Sequence, residues 1–182
     1  MTRTLVIGGA RSGKSAHAEA LATASGKAVV YIATALAGDA EMQLRIAHHR
    51  ARRDGQWQTV EETLALGAAI RKYSTAGNLI LVDCLTVWLS NLLFSEDKEF
   101  PEVGAIDAPA CFSEQRAEFL QALAQAAGDV ILVSNEVGQG IVPQGAISRW
   151  FVDEAGRLNQ AVAATCERAV LVVAGLPLTL KG

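Results

Sequence analysis

Residues 4–15 read Thr-Leu-Val-Ile-Gly-Gly-Ala-Arg-Ser-Gly-Lys-Ser, an apolar run that leads into a full match to G-x-x-x-x-G-K-[ST]. The run predicts a buried strand and the residues from Lys14 onward predict a helix. Glycines let the backbone turn tightly and aim several N–H groups at one point, and the helix start adds the positive end of its dipole. The stretch therefore predicts a loop that binds a nucleoside triphosphate, with Lys14 at the outer phosphates and Ser15 at Mg²⁺. A plain glycine turn explains neither the Lys-Ser pair nor its position.

Strand-like and helix-like segments alternate along the rest of the chain. Apolar runs typical of strands buried on both faces cover Thr4–Gly8, Ala28–Ala33, Leu79–Asp83, Val130–Ser134 and Ala169–Val173. Helical patterns cover Lys14–Ala24, Ala40–Arg53, Thr63–Tyr73, Thr86–Phe94, Ser113–Ala127 and Ile147–Glu167. The alternation predicts an α/β fold of the phosphate-loop nucleoside triphosphate-binding kind, with a mostly parallel sheet flanked by helices. Ligands of such folds bind at the carboxyl ends of the strands.

The composition is that of one domain without a strong charge. The 182 residues, 51% hydrophobic and 19% charged, are enough for one core, so a single domain over residues 1–182 is expected. A net charge of −3 provides no general attraction to nucleic acid or anionic membrane. No charged leader precedes the first strand, and no apolar stretch approaches the roughly 18 residues of a membrane span, so the expected location is the cytoplasm. Cys84, Cys111 and Cys166 lie far apart, which predicts reduced, buried thiols rather than disulfides or a metal site.

Carboxylates follow two of the apolar runs. Asp83 closes the run that starts at Asn78, and an acid at that place in a nucleotide-binding fold can hold Mg²⁺ directly or through water. A strand-terminal Asp is also a common turn or helix-cap residue, so the interpretation depends on the phosphate loop upstream. Glu136 follows a later run and can act as a base or bind a metal, but an acid in a glycine-containing loop is usually solvated. Glu136 is therefore not counted among the catalytic residues.

The most distinctive polar segment spans residues 41–53 and reads Glu-Met-Gln-Leu-Arg-Ile-Ala-His-His-Arg-Ala-Arg-Arg. On a helix, Arg45, His49, Arg52 and Arg53 fall along one side, with His48 adjacent. Positive charge around an imidazole favours its neutral, nucleophilic form. Such a histidine can attack a phosphate held by the arginines and form a covalent phosphoramidate. A solvated basic helix face with incidental histidines is the alternative, and spacing alone does not exclude it.

Several segments occur in the order found in one enzyme family. They are the phosphate loop, Tyr31–Ala35, Arg45–Arg50, Thr59–Glu61, Asp83, Asn91–Leu93, Val133–Pro143 and Ala155–Gln160. With these segments the chain resembles, over essentially its whole length, the bifunctional adenosylcobinamide kinase / adenosylcobinamide-phosphate guanylyltransferase family of cobalamin biosynthesis. Many enzymes share the phosphate loop, whereas the His-His-Arg segment combined with Ser-Asn-Glu-Val-Gly-x-Gly-Ile-Val-Pro is specific.

The resemblance implies two reactions. The kinase reaction phosphorylates the hydroxyl on the aminopropanol arm of adenosylcobinamide, with ATP or GTP as donor. The transferase reaction moves GMP from GTP onto the resulting adenosylcobinamide phosphate through a guanylylated histidine, and releases pyrophosphate. The resemblance makes His49 and Lys14 catalytic and gives His48 a supporting role. It also implies Mg²⁺ as cofactor and a homotrimer.

The implied contacts follow from the same motifs. The metal is expected at Ser15 and Asp83. The nucleotide is expected at Gly8, Gly9, Ala10, Arg11, Ser12, Gly13, Lys14, Ser15, Ala33, Thr34, Ala35, Arg50, Ala51, Arg52, Arg53, Glu61 and Asp83.

Two other functions fit parts of the sequence. A plain small-molecule kinase needs the phosphate loop, Mg²⁺ and an acceptor pocket, but no nucleophilic histidine. A GTP-dependent switch needs guanine recognition, commonly an N-K-x-D stretch after a late strand, and the sequence contains none. The labelling behaviour of the histidine pair therefore distinguishes the bifunctional enzyme from both.

Overall fold

The computed structural model describes residues 1–35 and 57–182. The strands there are β1 (Arg3–Gly8), β2 (Ala28–Ala33), β3 (Gln58–Glu61), β4 (Asn78–Asp83), β5 (Asp129–Asn135), β6 (Arg168–Val173) and β7 (Leu176–Lys181). The helices are α1 (Lys14–Ala24), α2 (Leu66–Tyr73), α3 (Leu85–Leu93), α4 (Cys111–Gln125) and α5 (Ala146–Thr165). All five predicted strands are present. The helix predicted over Ala40–Arg53 lies outside the described residues.

The strands form one sheet in the order β3-β2-β4-β5-β1-β6-β7. Neighbouring strands are parallel except for β6 and β7, so the predicted α/β fold is confirmed. β1 lies between β5 and β6, and Gly8 is in register with Asn135 at the end of β5. Ala33 is in register with both Glu61 and Asp83. This order places the start of the phosphate loop and the end of β4 on either side of β5, where the carboxyl ends of these parallel strands meet.

The helices cover the two faces of the sheet unequally. Side chains alternate along β1, so Leu5 and Ile7 pack into one core while Val6 packs into the other. The first core also contains the apolar side chains of α2 to α5, whereas the second is closed by Ala18 and Ala22 of α1. At the centre of the larger core Trp88 and Phe119 are fully buried, with ring centroids 5.0 Å apart. Helix α1, which directly follows the phosphate loop, therefore packs on the face of the sheet opposite to helices α2 to α5.

Two strands were not predicted, and both lie at edges of the sheet. β3 reads Gln-Thr-Val-Glu and is mostly exposed, so it lacks the continuous apolar run that marks a strand buried on both faces. β7 reads Leu-Pro-Leu-Thr-Leu-Lys, an alternation typical of a strand with two different faces. Short or alternating edge strands carry a weaker sequence signal than buried central ones.

Helix α2 begins at Leu66, three residues later than the pattern predicted. The Glu62 carboxylate accepts hydrogen bonds from the backbone N–H groups of Leu64 at 3.0 Å and Ala65 at 2.8 Å. These bonds hold the segment in a turn ahead of the helix, because the side chain satisfies N–H groups that precede the first helical bond. The predicted start at Thr63 was therefore wrong.

The three thiols are free, as predicted. Cys84 and Cys166 are buried, but Cys111 is only half-buried in the first turn of α4, so its predicted burial was wrong. Burial raises the pKa of Cys84 to about 11 and that of Cys166 to about 12, so both thiols remain protonated at neutral pH. Over the two described ranges, no helix combines the length and hydropathy needed to cross a membrane.

Candidate nucleotide site

At two positions between the end of β1 and the start of α1, only glycine fits the backbone. Gly13, just before α1, has a φ of +96°, and a Cβ there would lie 3.1 Å from the Cα of Gly175. A Cβ on Gly8 would lie 2.5 Å from the carbonyl oxygen of Val172. The Gly175 N–H also donates to the Ser12 carbonyl at 2.8 Å. The phosphate loop is therefore held tightly against the turn between β6 and β7.

Lys14 begins α1 and is 9% exposed. Its Nζ donates a hydrogen bond to the Gly9 carbonyl oxygen at 3.1 Å, so the ammonium group folds back over the loop. Burial lowers the pKa of Lys14, while Cys84 and then Asp83 act in the opposite direction. The charge of Asp83 therefore influences the ammonium group of Lys14.

The start of α1 suits an anion. The first turn of the helix contains no acidic side chain, so its exposed N–H groups and positive dipole end are not neutralised from within the helix. Ser15, the second helical residue, is half-buried in this turn. Backbone N–H groups, the Lys14 ammonium and the Ser15 hydroxyl are the groups that hold a polyphosphate in loops of this sequence.

Thr34, just after β2, has a side chain that is engaged within the protein. It is 0% exposed, and its Oγ1 donates to the Cys84 carbonyl at 2.8 Å and accepts from the Cys84 N–H at 2.9 Å. Asn91 of α3 donates through Nδ2 to the carbonyl oxygens of Thr34 at 2.7 Å and Thr63 at 3.1 Å. These bonds join the end of β2 to the residue that follows Asp83. Thr34 and Asn91 therefore position the strand ends that carry the site.

We expect Thr34→Val to lower the free energy of unfolding by about 1–3 kcal/mol, because it leaves the buried N–H of Cys84 without its partner. The Cys84 carbonyl still accepts a hydrogen bond from the Trp88 N–H at 3.1 Å. Thr34→Ser keeps the hydroxyl and is expected to lose much less. Urea unfolding of both variants measures the difference. Equal loss in the two variants would show that the hydroxyl does not stabilise this region.

Three other residues predicted to contact the nucleotide lie at the carboxyl ends of neighbouring strands. Ala33 and Glu61 end adjacent strands, and Asp83 ends the strand on the other side of Ala33. His49, Ala51 and the basic residues Arg50, Arg52 and Arg53 lie outside the described residues. Contacts of all these residues with a nucleotide remain predictions.

A polar cluster that sequence reasoning did not place in the site lies beside the phosphate loop. The Glu136 N–H donates to the Gly8 carbonyl oxygen at 3.0 Å, and Asn159 of α5 donates through Nδ2 to the Asn135 carbonyl oxygen at 3.2 Å. Asn135 and Asn159 lie 24 residues apart in the chain. The signal available in the sequence was their occurrence in two family segments, Val133–Pro143 and Ala155–Gln160.

Comparison with protein families decides the relationship of the chain. The model of the family described as cobinamide kinase / cobinamide phosphate guanyltransferase matches residues 4–180. The chain belongs to this family. The resemblance found in the sequence is confirmed, and the enzyme class is that of a bifunctional kinase and guanylyltransferase.

Two named relatives support the same family relationship. The chain is 54% identical over 180 residues to the bifunctional adenosylcobalamin biosynthesis protein CobP of Pseudomonas aeruginosa, covering 99% of this chain and 98% of the relative. It is 41% identical over 179 residues to the bifunctional adenosylcobalamin biosynthesis protein CobU of Escherichia coli, covering 97% and 98% of the two chains.

Solved structures support the fold alone. The RadB recombinase aligns with a TM-score of 0.51 at 16% identity, covering 93% of this chain and 73% of RadB. An ATPase from a bacterial type III secretion system aligns with a TM-score of 0.54 at 11% identity, covering 98% of this chain and 56% of the ATPase.

Proposed function

We propose that this chain phosphorylates the aminopropanol hydroxyl of adenosylcobinamide, with ATP or GTP as donor. It then transfers GMP from GTP to adenosylcobinamide phosphate, giving adenosylcobinamide-GDP and pyrophosphate. The observation that carries the proposal is the phosphate loop, with Lys14 buried at the start of α1, in a chain whose family has these two activities. A single domain over residues 1–182 performs both reactions.

In the kinase step the acceptor hydroxyl oxygen attacks the γ-phosphorus of the donor. A new oxygen–phosphorus bond forms, the bond between the γ-phosphorus and the β-bridging oxygen breaks, and the hydroxyl proton passes to solvent. The N–H groups of the phosphate loop and the Lys14 ammonium hold the phosphates and stabilise the charge that moves to the leaving oxygen.

In the transfer step His49 is the nucleophile. Its ring nitrogen attacks the α-phosphorus of GTP, a nitrogen–phosphorus bond forms, and the bond to the pyrophosphate oxygen breaks. A phosphate oxygen of adenosylcobinamide phosphate then attacks the same phosphorus and displaces the histidine. Covalent catalysis of this kind divides one transfer into two steps, with Arg50 to Arg53 close to His49 in sequence as candidates to hold the phosphates.

The residues present suit Mg²⁺. Ser15 and Asp83 offer hydroxyl and carboxylate oxygens, the donors that this ion prefers. Over the described ranges, no group of three or more His, Cys, Asp or Glu side chains is placed to hold a metal. At nucleotide sites Mg²⁺ is commonly held by one or two protein oxygens together with substrate phosphates and water. When bound, Mg²⁺ neutralises phosphate charge.

We expect Asp83→Asn to raise the Mg²⁺ concentration needed for half-maximal kinase activity by about tenfold or more, because a neutral amide oxygen is a weaker ligand than a carboxylate. The thermal midpoint should change little, since the side chain ends a strand and is half-buried. A Mg²⁺ titration of kinase rate with purified protein measures the effect. An unchanged titration would make Asp83 a structural residue.

A homotrimer in the cytoplasm is part of the proposal. The edge strand β7 supports self-association, because Leu176 and Leu178 are 73% and 59% exposed along one face of it. Sedimentation equilibrium tests the oligomeric state.

Product analysis tests the two reactions together. The protein is incubated with adenosylcobinamide and ATP, then with GTP, and the corrinoid products are identified by mass. Adenosylcobinamide phosphate followed by adenosylcobinamide-GDP is the expected sequence. Phosphate transfer without the GDP product would leave a plain kinase, and nucleotide binding without either product would favour a binding module.

A further inference from the structure

A groove of about 340 Å³ runs between α5 and the sheet, on the face opposite α1. Its walls are largely apolar and include Leu5 and Ile7 of β1 and Leu180 of β7. Three residues whose side chains can accept hydrogen bonds, Glu136, Asn159 and Gln160, also line it. The groove thus combines an apolar surface with a few polar acceptors, as small-molecule sites do.

Asn159 provides an acceptor without a partner inside this groove. The residue is 7% exposed, and its Nδ2 donates to the Asn135 carbonyl oxygen at 3.2 Å. Because that carbonyl must receive an N–H, the hydrogen bond determines the amide orientation and leaves Oδ1 as the free atom. Oδ1 is buried and has no hydrogen-bond partner among the described residues. Buried polar atoms normally have partners, so this oxygen indicates a donor that belongs to a ligand.

One end of the groove lies at the phosphate loop. Ile7 and Glu136 line it, Gly8 follows Ile7 directly, and the Glu136 N–H donates to the Gly8 carbonyl oxygen at 3.0 Å. The Oε1 atom of Glu136 accepts from the Gly138 N–H at 2.7 Å, which orients the carboxylate. One end of the groove therefore lies next to Gly8, the first residue of the phosphate loop.

The charge of these groups selects the kind of ligand. A carboxylate and an amide oxygen accept hydrogen bonds and disfavour an anion, so the groove does not suit the nucleotide polyphosphate. They suit a neutral chain that carries hydroxyl or amide N–H donors on an apolar skeleton. An amide-linked aminopropanol group has these features: an amide N–H, a hydroxyl, and a methyl group on a short carbon chain.

We propose that this groove is the acceptor subsite, and that it holds the aminopropanol arm of the corrinoid with Asn159 Oδ1 and Glu136 as hydrogen-bond acceptors. The inference rests on the proposed function, because the identity of the acceptor comes from there. The groove takes the arm while the corrin ring lies outside it, and the end beside Gly8 directs the hydroxyl toward the donor phosphate.

The test compares three variants of the full chain. Asn159→Leu removes the free acceptor. Ala163→Leu adds bulk to a half-buried groove position of the same helix and leaves Asn159 in place. The matched control is Asn78→Leu, since Asn78 is a similarly buried asparagine whose Oδ1 and Nδ2 both have protein partners, at the amino end of β4.

Steady-state kinase assays measure KM for adenosylcobinamide at saturating ATP and KM for ATP at saturating adenosylcobinamide. Asn159→Leu and Ala163→Leu are expected to raise the corrinoid KM by about tenfold or more, while the ATP KM changes by less than about twofold. Asn78→Leu is expected to lower the thermal midpoint and leave both KM values unchanged. Equilibrium dialysis with adenosylcobinamide, which is coloured, measures binding without turnover.

The outcomes distinguish a wrong acceptor subsite from a wrong proposed function. If wild-type protein phosphorylates adenosylcobinamide and both groove variants keep its KM, the proposed function stands and the acceptor subsite is wrong. If Asn159→Leu fails to fold, Ala163→Leu decides in the same way. If the groove variants change the sedimentation of the protein but not the corrinoid KM, a second copy of the chain occupies the groove. If wild-type protein neither binds nor phosphorylates adenosylcobinamide, the proposed function fails and the subsite fails with it.

Discussion

Lys14→Ala is expected to reduce the rate of phosphoryl transfer to adenosylcobinamide by about 10²–10³-fold, because it removes the cation closest to the migrating phosphate. The Lys14 side chain is 9% exposed and its Nζ lies 3.1 Å from the Gly9 carbonyl oxygen, so the ammonium is already held over the phosphate loop. The loop itself should keep its shape, since the bond from the Gly175 N–H to the Ser12 carbonyl at 2.8 Å does not involve the lysine.

The measurement is a single-turnover kinase assay, which reports the chemical step rather than product release. Lys27→Ala is the matched control, because Lys27 precedes β2 and its Nζ pairs with the Asp129 carboxylate at 2.7 Å, at the opposite end of the sheet from the loop. The control should retain the wild-type rate. A Lys14→Ala protein that folds normally and phosphorylates adenosylcobinamide at the wild-type rate would contradict the kinase mechanism. A parallel loss of guanylylation would show that one loop serves both triphosphates.

His49→Ala is expected to abolish the covalent guanylyl adduct and the formation of adenosylcobinamide-GDP, while much of the kinase activity remains. Wild-type protein incubated with α-labelled GTP should retain the label through denaturation, because the nitrogen–phosphorus bond is covalent. Mild acid should release it, since phosphoramidates hydrolyse once their nitrogen is protonated. Label in the γ-position should not be retained.

The chain contains three histidines, so the adduct can be mapped completely. His17→Ala changes the histidine of α1 and should leave the adduct at the wild-type level. His48→Ala should slow adduct formation without abolishing it, through its effect on the adjacent ring. If the adduct persists in His49→Ala and disappears only in His48→Ala, the roles within the pair are reversed. If wild-type protein retains no α-label, the transferase reaction does not use this intermediate.

Local patterns predicted the centre of the fold well and its edges poorly. Central strands such as β1, β4 and β5 are buried on both faces, so each is a continuous apolar run that can be found without knowing its neighbours. β3 and β7 pair with one neighbour each at the sheet edges, and their polar or alternating sequences do not form such runs. The turn that delays α2 depends on the Glu62 side chain, which a helix period does not reveal.

The sequence likewise predicted the contiguous part of the candidate site and missed the contacts between distant segments. Residues Gly8–Ser15 were predicted as one unit, because the loop and the start of its helix are contiguous in sequence. Thr34 was predicted as a nucleotide contact, but its double hydrogen bond to Cys84 joins residues 50 positions apart. Glu136 was left out of the catalytic list because a loop acid is usually solvated. The hydrogen bond from its backbone N–H to the Gly8 carbonyl oxygen exists only because β5 lies beside β1.

By itself, the sequence determined the phosphate loop, the α/β class, the family and the histidine pair to test, because each of these is a short contiguous pattern or an ordered set of such patterns. Only the tertiary structure decided the order of the strands, and therefore which strand ends adjoin the loop. It also decided that Asn159, a residue of α5 that lines the groove, meets the end of β5 and keeps a buried amide oxygen without a partner among the described residues. The physical reason is that hydrogen bonds and burial depend on distances in space, and packing of distant segments, rather than local pattern, sets those distances.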